Sequence, residues 1–445
     1  MSAVTDVMVI GAGPAGLAAA VALSAAGAKT QLLERKPYVG GRAYSYPHPA
    51  LGEVIDSQHV LLGCCTNLLD LCRLSGADNY LRWYEEIPFL EPGGRVTRLR
   101  GGTSPMASLG FLRAPMLEFS DKLAIVRGLT EFLNGKPQSD DVSFASWLKR
   151  TKQTERAIKH FWEPILIATL NDTFERCSMR YAGKVFHEAF VRSAEGGRMA
   201  VPTEPLSNFF GRIASLAEQQ GTDLQLRASV ERLERVDGLW QASLSDGTHR
   251  VAERVVLALP FEQAAKLVPL RGVEHFVHAP ITTIHLWFDR NVSEYDQCAL
   301  LDTRIQWLFD KSRIRGLEQQ GSYIELVISA SFQELEMGRE EILNSAITEL
   351  RSFLPKMNQA KIVKSGILKE ARATFSVVPG LDAYRPQQES GAGLYLAGDW
   401  TDTGWPSTME GGVRSGRLAA GAILGRSCMA AELPAEGIVR LLERQ

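Results

Sequence analysis

Apolar positions near the start of the chain fall into three blocks. Residues 7–10 are a continuous apolar run, which predicts a buried parallel strand. Residues 15–26 are alanine-rich with almost no polar surface, predicting a buried helix that Gly27 stops, and residues 30–33 form a second short strand. Residues 64–83 then predict a helix, and 86–100 a hairpin turning at Pro92-Gly93-Gly94. Residues 104–135 interleave apolar positions with Arg113, Lys122 and Arg127. That pattern suits either the helical core of a second domain or an apolar cap that touches a membrane surface. Helices are predicted over 142–149, 154–171, 178–191 and from Pro205 to about Gln220. Strands follow at 223–226 and 228–233, and alternation around Asp246-Gly247 predicts a hairpin. A buried strand at 255–260 comes next. Strands at 280–289, 323–331 and 361–376, with a helix over 338–353, read as a second sheet. A last apolar strand ends at Gly398-Asp399, before a helix that runs through Leu424.

The first strand–helix–strand block carries chemistry. Gly11, Gly13 and Gly16 form G-x-G-x-x-G, and Glu34 closes the second strand about 20 residues later. Gly11 serves the tight turn, Gly13 lets the main chain approach a pyrophosphate, and Gly16 permits close helix–strand contact. The helix beginning at Pro14 and Ala15 offers unpaired N–H groups to phosphate, and the Glu34 carboxylate can accept from ribose hydroxyls. This context predicts a bound dinucleotide. Gly40-Gly41-Arg42 follows: Gly41 lets the main chain pass close to the pyrophosphate, and the Arg42 fork can neutralise it.

Composition narrows the partners. A chain of 445 residues predicts two domains. A net charge of -2 gives no electrostatic reason to expect nucleic acid. The six cysteines show no C-x-x-C spacing, so free thiols in a reducing compartment are expected, and no metal site is predicted. No basic n-region with a cleavage site opens the chain. Residues 7–28 are apolar enough to imitate a membrane span, but Gly13-Pro14 and the glycine motif argue against one. A cytoplasmic protein is expected, with membrane contact only at a surface.

The paired motifs at Gly11–Gly16 and Gly40-Gly41-Arg42 resemble the FAD-binding half of the glutathione reductase and amine oxidase superfamily. Over essentially its whole length the chain resembles the flavin amine oxidase and phytoene desaturase superfamily. It looks most like the squalene-associated FAD-dependent desaturases, which include hydroxysqualene dehydroxylase. The segments carrying this are Asp56-Ser57-Gln58-His59-Val60-Leu61-Leu62-Gly63-Cys64, Lys369-Glu370-Ala371-Arg372-Ala373-Thr374-Phe375 and Gly398-Asp399-Trp400 through Trp405-Pro406-Ser407-Thr408-Met409-Glu410. Ser57 stands where that subgroup's pattern has glycine.

The resemblance implies an α/β fold, with a Rossmann-like FAD-binding domain of glutathione reductase type and an interleaved α+β substrate domain. The FAD domain would take residues 1–85, 205–272 and 376–445. The substrate domain would take 86–204 as its helical part and 273–375 as its sheet part. FAD would touch Arg35 beside Glu34, Gln58 and His59 under the flavin ring, and Val230 at the adenine edge. Asp399 would hold a ribitol hydroxyl, and the helix start at Thr408 and Met409 would face the anionic edge of the ring. The reaction implied is reductive removal of the hydroxyl of hydroxysqualene to give squalene and water. Hydroxide is a poor leaving group, so an acid is needed: His59 first, with Asp402 and Glu410 in reserve. The substrate would be an apolar isoprenoid in a greasy tunnel walled by Phe111, Phe119, Phe161, Trp162, Trp287 and Trp307, with an external electron donor. The alternatives are another oxidase of the superfamily acting on an amine, a carotenoid desaturase, or a prenyl-binding protein of the GDP-dissociation-inhibitor kind.

Overall fold

The strand Thr5–Ile10 is buried along its apolar half because neighbours cover both its edges. It pairs in parallel with Thr30–Glu34 on one side and with His249–Leu257 on the other. The computed structural model describes residues 4–442 apart from 103 and 438. The first sheet runs in the order Asp223–Leu226, Thr30–Glu34, Thr5–Ile10, His249–Leu257, Leu239–Leu244, Val230–Val236, with Leu394–Leu396 joining parallel to residues 255–257. Chain segments more than 380 residues apart therefore share one sheet.

The helix Pro14–Ala25 starts with Pro14 in its first turn, where a missing N–H costs nothing, and ends before Gly27 at φ +82°. It is buried on nearly all sides, as its alanines require. One of its partners is the helix Met409–Leu424, and the approach is close. A Cβ on Gly416 would lie 2.0 Å from the Ala15 carbonyl oxygen.

A second sheet runs in the order Ile362–Phe375, His278–Phe288, Tyr323–Ser329, Trp307–Asp310, Gln297–Leu300, Ile87–Leu90, Val96–Leu99. The 87–99 hairpin thus adds its edge strands to this sheet, far from the 278–375 strands in sequence. The helices between residues 105 and 191 share a core made of a cluster of rings: Phe144, Trp147, Trp162, Phe161 and Phe186 pack at centroid distances of 4.6–6.2 Å. Two π-helical turns, Ile158–Trp162 and His187–Val191, interrupt these helices.

Three expectations need correction. Only Thr66–Ser75 is α-helical within 64–83. Gly76, left-handed at φ +69°, ends it, and Leu81–Tyr84 is a strand. Met199–Pro202, which the glycine pair and proline of 196–202 predict to be part of a loop, is a buried strand bridging Leu61–Leu62 and Leu81–Tyr84. Five of the six aromatics expected to wall a tunnel do not. Phe161 and Trp162 satisfy each other within the ring cluster, and Phe111 packs edge-on to Phe161. Trp287 stacks on Tyr323 at 4.3 Å, and Phe119 is 81% exposed. Trp307 alone lines the main cavity.

Candidate active site

One cavity of ≈ 780 Å³ runs between the two sheets. Its nucleotide end is walled by main chain. Gly11 has φ +104°, and a Cβ there would lie 2.5 Å from the Ala258 carbonyl. A Cβ on Gly16 would lie 1.8 Å from the Gly11 carbonyl, so Gly16 is the packing glycine and stands behind the cavity wall. A Cβ on Gly41 would come within 3.0 Å of Gly13 Cα, so the two glycine loops abut. Gly13, Pro14, Ala15 and Gly41 line the resulting cleft. Glu34 ends its strand with both oxygens fixed: Oε2 accepts from Ala12 N at 2.9 Å and Oε1 from Lys36 N at 2.8 Å. Each carboxylate oxygen can accept a further hydrogen bond. Arg35 is exposed at the rim, and Val230 lines the same end beside Ala228 and Ser229.

The late motif reaches the same cavity. Gly398, Asp399, Thr408 and Met409 line it. Thr408 caps the helix Met409–Leu424, its Oγ1 accepting from Gly411 N at 3.1 Å, so unpaired N–H groups and the positive helix end face the cavity. Sequence reasoning gave Arg42 and Asp399 separate duties. The structure pairs them, Arg42 Nη2 donating to Asp399 Oδ1 at 2.6 Å, while Ser407 Oγ donates to Oδ2 at 2.6 Å. A cradle of abutting glycine loops, two helix N-termini and a fixed acid at a strand end suit a dinucleotide whose second half lies toward Asp399.

Gln58 and His59 line the middle of the cavity. His59 Nδ1 lies 2.8 Å from the Ser57 carbonyl oxygen. A carbonyl can only accept, so Nδ1 carries the proton and Nε2 holds a lone pair. Burial pushes the imidazole below its ordinary pKa, and the nearby Asp56 and Glu325 charges do not reverse this. His59 is therefore neutral near pH 7 and equipped to accept a proton, which corrects its assignment as the acid.

The two reserve acids are both held by other partners. Asp402 lies outside the cavity lining and accepts from Gln387 Nε2 at 2.8 Å. The Glu410 carboxylate accepts from Asn67 N, Asn67 Nδ2 and Leu68 N at 2.8–3.2 Å, so it caps the helix Thr66–Ser75. Burial raises its pKa, and Glu410 lines the cavity while holding that cap. Ser57, the departure from the subgroup's glycine, is not left-handed, so no glycine is needed there.

Sequence reasoning missed what lies behind Gln58. Lys311 is buried, and its Nζ donates to Gln58 Oε1 at 2.6 Å and to Asp56 Oδ1 at 2.8 Å, with Glu325 Oε2 at 3.2 Å. Glu325 Oε1 accepts from Gln58 N at 2.5 Å. Burial alone would raise the Asp56 pKa, but the Lys311 ammonium and the Arg315 guanidinium outweigh it and hold the carboxyl well below its usual range. Burial keeps the Glu325 carboxyl above its ordinary value. Next to them His285 Nδ1 bonds Tyr323 OH at 2.9 Å, and burial pushes this imidazole down to about 3. The signal was available for Glu325, a single charge inside the apolar run 323–328, but not for Lys311, which stands among Asp310, Arg313 and Arg315. A separate juxtaposition of Glu91, His160 and Asp302, which no sequence spacing suggested, has Arg95 and Arg156 ion-paired to Glu91.

The family of flavin containing amine oxidoreductases matches residues 14–424. The chain belongs to this family. This flavin-dependent oxidoreductase uses FAD, and the arrangement above is where the residues suit it. It is similar to a zeta-carotene desaturase of Synechocystis sp., 26% identical over 94% of this chain and 97% of the relative. It is also similar to a chloroplastic/chromoplastic 15-cis-phytoene desaturase of Solanum lycopersicum, 25% identical over 94% of this chain and 77% of the relative. Wild-type putrescine oxidase bound to putrescine shares its fold, with a TM-score of 0.73 at 18% identity over 96% of this chain and all of that one. Cyclohexylamine oxidase from Brevibacterium oxydans gives 0.68 at 19% identity, covering 95% and 99%. Among the described residues no helix is long and apolar enough to cross a membrane.

Proposed function

We propose that this flavoenzyme desaturates a long, apolar isoprenoid of the carotenoid type. The observation that carries the reading is one cavity that joins the nucleotide cradle to an apolar end and has a neutral imidazole between them. The apolar end is walled by Ile165, Ala168, Ile281, Val327 and Leu368. Desaturation removes a hydride and a proton from neighbouring carbons, and bound FAD supplies the hydride acceptor. The proton falls to the protein. His59, with Nδ1–H held by the Ser57 carbonyl, presents Nε2 as the acceptor. Gln58 and the Lys311 cluster fix the segment that carries it. The names of the desaturase relatives support this reading.

A second reading, reductive removal of the hydroxyl of hydroxysqualene, is favoured by the Gln58-His59 and Trp405–Glu410 segments. In it the departing hydroxide needs a proton, which His59 holds only after protonation at Nε2. In either direction electrons pass through an external partner, since the sequence carries one dinucleotide motif. An insoluble substrate favours an enzyme that works against a membrane surface.

Two anaerobic incubations test the readings. Oxidised holoenzyme with 15-cis-phytoene or zeta-carotene and a soluble quinone should give a product with a longer polyene absorbance. Photoreduced holoenzyme with hydroxysqualene should leave the flavin reduced. Flavin reoxidation with squalene formation, and no longer polyene, moves the assignment to dehydroxylation. Turnover of neither isoprenoid class overturns both.

A further inference from the structure

We propose that the helices Pro105–Arg113 and Phe119–Thr130 form a docking face for an anionic lipid bilayer; this rests on the isoprenoid reading above. Met106, Leu109 and Leu112 recur every third residue on the first helix. Phe119, Leu123 and Val126 recur at i, i+4, i+7 on the second. All six are exposed, Phe119 at 81%, Leu112 at 62% and Leu123 at 60%. A single exposed leucine needs no explanation, but a two-helix stripe does. Lys122 Nζ donates to the Leu112 carbonyl at 2.8 Å, which fixes the second helix to the end of the first. The opposite side of the pair is anchored: Asp121, Ala124, Ile125 and Gly128 are buried, and Thr154 Oγ1 donates to Asp121 Oδ1 at 2.6 Å.

Charge selects the partner. Arg113 and Arg127 are exposed on the helices, and Lys122 is half-buried between them. Arg98 is exposed on the strand beneath, its carbonyl 3.9 Å from a Cβ placed on Gly110. The exposed acid among them is Glu118, which serves as the capping box of the second helix. Cations around an apolar stripe suit acidic headgroups over an acyl interior. A second protein copy would meet the same four cations with its own.

The position also fits. Phe111 on the first helix meets Phe161 at 6.0 Å, and Phe161 meets Phe190, a cavity-lining ring, at 6.2 Å. The greasy face is therefore two ring contacts away from the cavity wall, with the buried Phe161 between them.

Sedimentation of FAD-loaded protein with phosphatidylcholine vesicles, with and without phosphatidylglycerol, tests the surface without any turnover. Binding should require phosphatidylglycerol and weaken as salt rises. Phe119→Asp/Leu123→Asp should lower it about tenfold or more, and Arg113→Glu by a few-fold. Both variants should keep their flavin and their unfolding temperature, because these side chains contact solvent. Wild-type protein that ignores the vesicles, or a double aspartate variant that binds as well as wild type, overturns the proposal. So does a concentration-dependent dimer, seen by light scattering without lipid, that the double variant abolishes. Vesicle binding by a protein that turns over no isoprenoid would instead overturn the substrate reading and leave the surface standing.

Discussion

At its nucleotide end the cavity is walled by main chain. Gly11, Gly13, Gly16 and Gly41 bring backbone within contact of backbone, and Glu34 is fixed by two N–H groups. At the other end the wall is side chain. Ile281, Val327 and Leu368 come from the second sheet, Phe190 from a π-helical turn, and Gln58–His59 from a loop braced by the buried Lys311 cluster. The two constructions tolerate change differently. A main-chain wall has no slack, since a single methyl meets an atom that cannot rotate away. A side-chain wall can be re-cut by substitution while its support stands, which lets one cofactor cradle serve different substrates in related chains.

The sharpest break is expected at the first end. Gly16→Ala places a methyl 1.8 Å from the Gly11 carbonyl, and a cost above about 4 kcal/mol should leave little soluble flavoprotein. A yellow, stable Gly16→Ala protein would show that this wall does have slack. At the second end, Lys311→Met leaves Asp56 and Glu325 without their cation, costing about 3–5 kcal/mol in thermal or denaturant unfolding. Adding Glu325→Gln should restore part of that loss. His59→Ala should keep its flavin yet lose about 10²-fold or more in turnover. The wild-type rate should fall only below the ordinary histidine pKa of about 6.5, because the depressed pKa keeps His59 neutral until the pH is lower still, and protonation then removes the acceptor. That acidic limb should vanish in His59→Ala. Glu34→Ala should weaken FAD binding by about 10–100-fold, the worth of hydrogen bonds to a charged group. Unchanged flavin content on dilution would take Glu34 out of the site.

The nucleotide half was legible because its demands are local. Glycine where the chain must approach itself, an acid at a strand end and a helix after each loop are spacings within some 30 residues, as in Gly11–Glu34 and Gly398–Met409. The substrate half was not, because its contacts join residues far apart. Lys311 and Asp56 are 255 positions apart, and Glu325 meets Gln58 across 267. Aromatic content misled for the same reason. Spacing cannot tell a ring that faces a cavity, such as Trp307, from rings that face each other, such as Phe161 and Trp162. His59 was found by motif, but its role turned on which nitrogen holds the proton, and only the Ser57 carbonyl reveals that.

The close seating of Gly416 against Ala15 has a temporal meaning. A ribosome delivers the phosphate loop first and its opposing helix almost four hundred residues later, so during most of synthesis the loop faces a gap where its lid will be. Cofactor capture is then the closing act of biogenesis. A lesion that delays the Met409–Leu424 helix should therefore starve the enzyme of colour before it touches catalysis.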